Sequence, residues 1–110
     1  MMDRYIRAAE EYFFSQKDSP HLRLKPFSSA REMAEHLWRF SMLVAGLDLN
    51  ATDLVMDFGA GTCWTNLLLS RAGIHAVAVD VSPTALEIGK KASEALPESH
   101  RAAPPWFVAY

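Results

Sequence analysis

Residues 57–62 read Asp57-Phe58-Gly59-Ala60-Gly61-Thr62, two glycines one residue apart and just behind an acid. Glycines let the chain turn tightly and let a ligand approach the backbone without meeting a Cβ atom. A helix that starts behind such a turn offers unpaired N–H groups and a partial positive charge to an anionic ligand group. A second acid, Asp80, follows Gly61 by nineteen positions. In strand–helix–strand units an acid at about 20 positions' distance accepts hydrogen bonds from ribose hydroxyls. Together these residues have the chemistry to hold a nucleoside-bearing cofactor. Two details separate cofactor classes. The dinucleotide fingerprint wants a third glycine three positions after Gly61, where this chain has Trp64. Asp57 would repel a pyrophosphate and suits a ligand carrying a cationic amino group.

Each of these residues also has a plainer reading. Gly59 and Gly61 can serve the turn alone, Asp80 can end a strand, and Asp57 can brace the loop without touching ligand. Cys63, at a helix start, could carry a lowered thiol pKa, but no histidine adjoins it to act as its base, so a small packed residue is expected. His21, His36, His75 and His100 share no metal-ligand spacing. Tyr12, Phe13, Phe14 and Trp38 are expected in the core.

Elements of regular structure must position the loop. Leu54-Val55-Met56 runs straight into Asp57, and Ala76-Val77-Ala78-Val79 ends at Asp80. Continuous apolar character of this kind predicts strands covered on both faces, as in a parallel sheet. Between them, residues from about Cys63 to Ala72 read as a helix, with Gly73 past its end. Ser82-Pro83 starts a further helix, Ser as N-cap and Pro in the first helical position, with Leu86, Gly89, Ala92, Ser93 and Leu96 inward. Glu87, Lys90, Lys91 and Glu94 form its solvated face. Trp106 to Tyr110 is a third strand candidate beyond Pro104-Pro105.

The first 50 residues read differently, as a helical cap or lid ahead of the sheet. A helix is predicted over about Asp3 to Phe14, with Ile6, Ala9 and Phe13 at helical spacing. Ser15 to Pro26 reads as a connection, its alternating His21-Leu22-Arg23-Leu24-Lys25 briefly extended. A second helix is capped by Ser28 or Ser29 and stopped by Gly46. Its stripe is Ala30, Met33, Ala34, Leu37, Ser41, Val44 and Ala45, widened by Trp38, Phe40 and Leu43 to a helix covered on more than one side. The fold class expected is α/β: a partial doubly wound parallel sheet, preceded by two N-terminal helices.

Composition fits a single globular unit. The 110 residues are 50% apolar and 22% charged, and 11 Lys+Arg against 13 Asp+Glu leave a formal net charge of −2. That balance gives no long-range attraction for a nucleic-acid backbone. One Cys excludes an internal disulfide. No apolar run approaches the ~20 residues of a membrane span, and the N-terminus lacks a secretory layout, so a cytoplasmic setting is expected.

Leu54-Val55-Met56-Asp57-Phe58-Gly59-Ala60-Gly61-Thr62-Cys63 resembles the first motif of class I S-adenosylmethionine-dependent methyltransferases, written D/E-x-G-x-G-x-G. Val77-Ala78-Val79-Asp80-Val81-Ser82 resembles the second, in which a strand ends at a ribose-binding acid. The resemblance covers roughly Leu54 to Leu96, and the third motif glycine is Cys63 here. It implies a Rossmann-like half-domain over 51–110, following the helical segment 1–50, and the cofactor S-adenosylmethionine. Gly59, Ala60 and Gly61 would face the methionine end, Asp57 would order its amino group, Asp80 would hold the ribose hydroxyls and Val81 would lie near the adenine. The family's later adenine contact and the acceptor-side loop fall beyond Tyr110, so the catalytic residues and the methyl acceptor are unassigned and the 110-residue chain alone is expected to be inactive. His21, Arg23 and Lys25 are candidates for contacting an acidic substrate. The open sheet edge invites self-association. Three other readings stay open: an NAD(P)-dependent oxidoreductase, a non-catalytic cofactor-binding or interaction module, and a degenerate, truncated gene product whose stable role is packing with a partner.

Overall fold

A computed structural model describes residues 2–96 and 106–110. The expectations for His100 and Pro104-Pro105 lie outside the described residues. The protein is mixed α/β, with five helices and a three-stranded parallel sheet among the described residues. The helices α1 (Met2–Gln16), α2 (Pro20–Leu24) and α3 (Ala30–Gly46) come first. Then β1 (Leu54–Phe58), α4 (Trp64–Arg71), β2 (His75–Asp80), α5 (Pro83–Glu94) and β3 (Trp106–Ala109) alternate. The sheet order is β1-β2-β3, with Asp57 beside Ala78 and Asp80 beside Ala109. Because the strands are parallel, Asp57 and Asp80 stand at the same carboxyl edge, where such sheets form ligand crevices.

Among the described residues, the helices pack on one face of the sheet. Val55, Ala76, Ala78 and Phe107 point toward the helices: Leu69 and Ile74 pack with Ala76, and Cys63 and Leu86 pack with Ala78. The opposite face is bare at its edge strand. Leu54, Met56 and Phe58 are 63, 55 and 66% exposed, so β1 is not covered on both faces as its apolar run suggests. β2, between two neighbours, is buried from Ala76 to Asp80.

Local signals set the helix starts. Ser29 accepts the N–H of Glu32 at 3.1 Å and Ser82 that of Ala85 at 3.1 Å, both as N-caps, and Pro83 opens α5. The segment expected to be extended is instead the one-turn helix α2: Ser19-Pro20 starts it, and the turn buries Leu22. Of the stripe predicted for α3, Leu37, Phe40 and Val44 are half-buried and the rest is exposed. None of its residues is buried, and the packed row is His36, Phe40 and Val44, at four-residue spacing. Phe40 and Val44 meet the cluster around Leu69, and His36 and Phe40 lie against Trp64 with ring centroids 5.3 and 6.2 Å away. Trp38, Met42 and Leu43 are exposed, so α3 is covered on one side only. Tyr12 and Phe14 are likewise exposed rather than core residues.

Candidate functional site

The loop between β1 and α4 takes a left-handed backbone at every second residue: Gly59 (φ +73°), Gly61 (φ +58°) and Cys63 (φ +66°). The first two positions use glycine, which adopts this conformation freely; the third makes a cysteine bear it. That is why a glycine would also suit position 63. Cys63 is fully buried against Ala78, Leu86 and the helix residue Gly89. A Cβ atom on Gly89 would stand 2.7 Å from the Thr62 carbonyl oxygen and 2.8 Å from Cys63 Sγ, so Gly89 is what lets α5 close on the loop. Burial, followed by the charges of Asp57 and Asp80, pushes the Cys63 thiol up to about 12. It is a packed thiol, not a nucleophile.

Backbone hydrogen bonds turn the loop toward β2. Gly59 N and Ala60 N both donate to the Val79 carbonyl, at 2.8 and 3.1 Å, and Gly61 N donates to Asp80 Oδ2 at 2.7 Å. Three successive N–H groups are thereby used within the protein, and none of the three is left to cradle a pyrophosphate. Asp80 Oδ1 accepts from Ser82 N at 2.8 Å. The Asp80 carboxylate is 5% exposed, and it ties the glycine loop to the start of α5.

Asp57 faces the helices at the same edge. With the Asn66 amide oriented so that both of its ends find partners, its nitrogen donates to Asp57 Oδ2 at 3.0 Å and its oxygen accepts from Ala78 N at 3.3 Å. Asn66 is fully buried in α4, and its composition-neutral type gave no signal in the sequence. Burial, and then the neighbouring Asp80 charge, raises the Asp57 pKa. A half-buried carboxylate beside a second one gains from a cationic partner.

Above the loop lies a cavity of about 270 Å³, lined by Asp57, Gly59, Ala60, Gly61, Thr62, Trp64 and Thr65, and closed by Phe13, Leu22 and Lys25. Of the sequence candidates, Asp57, Gly59, Ala60 and Gly61 share this space; Asp80 sits behind the loop, and neither it nor Val81 lines the cavity. Of the basic candidates, Lys25 reaches it. His21 instead pairs with Glu32 at 3.4 Å, and Arg23 lines a separate cavity of about 720 Å³ between α1, α2 and α5.

Glu10 of α1 went unnoticed in the sequence. Its carboxylate accepts from Ser82 Oγ at 2.5 Å, from Thr84 N at 3.3 Å and from Thr84 Oγ1. Burial acts to raise its pKa, but these hydrogen bonds prevail and hold it below the ordinary value. Contacts across 72 positions leave no local pattern to read.

Compared with known proteins, the chain matches no family model, no curated protein and no solved structure. Among the described residues no group of three His, Cys, Asp or Glu is placed to hold a metal ion, and no helix is long and apolar enough to cross a membrane.

Proposed function

We propose that the chain is the cofactor-binding part of an S-adenosylmethionine-dependent methyltransferase, its sheet the first half of a Rossmann-like, doubly wound sheet. The observation that carries this reading is the cavity over the glycine loop, with one acid, Asp57, and one cation, Lys25, among otherwise neutral walls. A methionine end carries one amino and one carboxylate group, and such a pair of side chains complements both. Asp57, disfavoured as an anion by burial and by Asp80, would gain most from the ligand's ammonium group. Phe13, Leu22 and Trp64 offer apolar surface against which the methionine chain would lie.

Asp80 has two hydrogen bonds from backbone N–H groups and, as a carboxylate, capacity for about two more. In this reading those would go to the ribose hydroxyls once the crevice is uncovered, with Val81 beside the adenine. Methyl transfer itself is a direct displacement, to which these residues contribute by holding the donor in one orientation. The acceptor and the groups that hold it are not assigned by these residues.

The inward-turned loop N–H groups and the bulk of Trp64 disfavour a dinucleotide. The bare face of β1 favours a second reading, a binding module that docks on a partner through Leu54, Met56 and Phe58. A thermal-shift comparison separates these readings. S-adenosylhomocysteine should raise the melting temperature at concentrations where NAD does not; a rise with NAD alone, or with neither, would defeat the methyl-donor proposal.

A further inference from the structure

Helix α1 is attached to the rest of the protein in an unusual way. Its described side chains are exposed or half-buried and none is buried. Cavities lie on both of its flanks: Phe13 lines the glycine-loop cavity, and the next residue, Phe14, lines the larger one. α2 repeats the pattern, with Leu22 on one side and Arg23 on the other. The pair of helices is thus a thin partition, and among its described side chains Leu22 is the one that is buried.

Two contacts of α1 stand out. The Phe13 ring lies over the glycine loop, its Cζ 3.6 Å from where a Cβ on Gly61 would be. Glu10 takes the hydroxyls of Ser82 and Thr84 and the Thr84 N–H at the first turn of α5. Gly61 and Ser82 are also the two residues whose N–H groups Asp80 holds. α1 therefore rests on both arms of the Asp80 brace, over the carboxyl edge where Asp57 and Asp80 meet.

We infer that α1 is a displaceable lid over the glycine-loop crevice, with Glu10 as the residue that latches it to the start of α5 and Phe13 as its seat on Gly61. In the latched arrangement Asp80 is covered and the space above the loop, at about 270 Å³, falls below the ~300–1,000 Å³ usual for a site enclosing a whole small ligand. Release of Glu10 frees Ser82 and Thr84 and lets Phe13 lift from Gly61, which widens the space over the loop. Glu10 acts here as a positioning residue, and its effect on a ligand is on admission and escape. The lid itself does not depend on the methyl-donor reading; only the identity of the ligand does.

Amide hydrogen exchange on the 110-residue chain tests the latch without any ligand. Glu10→Ala should speed exchange across α1 and at Thr84 at least tenfold, with β1 and β2 amides changed less than twofold. Glu10→Gln keeps an oxygen that can accept one hydroxyl, so it should fall between. With Trp38 and Trp106 replaced by phenylalanine, acrylamide quenching of Trp64 should rise in the same order, because Trp64 lines the cavity that α1 closes. Equal acceleration of all amides would make Glu10 a general stabilising residue and overturn the lid, as would unchanged exchange in α1. A separate arm measures S-adenosylhomocysteine release, expected to be at least fivefold faster in Glu10→Ala. If wild type does not bind that ligand, the methyl-donor reading fails and the exchange result still decides the lid.

Discussion

Asp80, the last residue of β2, accepts the N–H of Gly61 at 2.7 Å and so fixes the glycine loop to the neighbouring strand. This bond gives the acid a structural task that does not depend on a ligand. Asp80→Ala should therefore loosen the loop as well as any ribose contact, and the Gly61 and Ser82 N–H groups would each lose a charged acceptor, worth about 1.5–3 kcal/mol at the buried Ser82 and less at the half-buried Gly61. Asp80→Asn is the informative variant: its one amide oxygen can serve only one of the two donors, and chemical denaturation should place its stability between wild type and Asp80→Ala.

Gly89→Ala should destabilise the protein by about 2–3 kcal/mol, since the added methyl group would meet the Thr62 backbone and Cys63 at under 3 Å. Gly59→Ala, whose added carbon meets nothing within 4 Å, should cost only the backbone conformation, about 1 kcal/mol. Urea melts of the two variants give the order directly.

Cys63 should resist thiol reagents in the folded protein. Its thiol stays protonated at neutral pH and is fully buried, so labelling by a disulfide reagent should follow unfolding and become fast only in denaturant. Rapid labelling under native conditions would contradict the packing at the start of α4.

Glu10 and Asp57 should act in opposite directions on stability against pH. The folded pKa of Glu10 lies below its ordinary value, so its stabilisation is complete above that ordinary value and is lost as pH falls through the folded one. Asp57 lies above its value of 3.8; its ionisation costs stability at neutral pH, and the cost is relieved as pH falls through the raised value. Melting temperatures measured from pH 7 to 3 should show Glu10→Gln less stable than wild type at neutral pH, with the gap closing in acid. Asp57→Asn should be more stable at neutral pH, and its advantage should shrink in acid.

The strand–helix–strand order from Leu54 onward, the N-caps Ser29 and Ser82, and the common edge of Asp57 and Asp80 were legible because each rests on local signals: apolar runs, capping residues and glycine spacing. The α2 turn was not, since a five-residue segment alternates by chance as readily as by design. Burial was read less well than type. Leu54, Met56 and Phe58 have the composition of a two-sided strand, but whether a second layer covers them is set by tertiary neighbours. Asn66, Glu10 and Phe13 reach the site from α4 and α1 through contacts that no spacing rule encodes.

On the proposed reading, Asp57 holds the cationic end of a nucleoside cofactor over the glycine loop. Calorimetric titration of S-adenosylhomocysteine into wild type and Asp57→Asn at pH 7.5 decides whether it does. Loss of one charge-assisted contact should weaken binding about tenfold or more, while the variant stays folded. Equal affinity in the two proteins, or tighter binding of NAD than of S-adenosylhomocysteine by wild type, would contradict it.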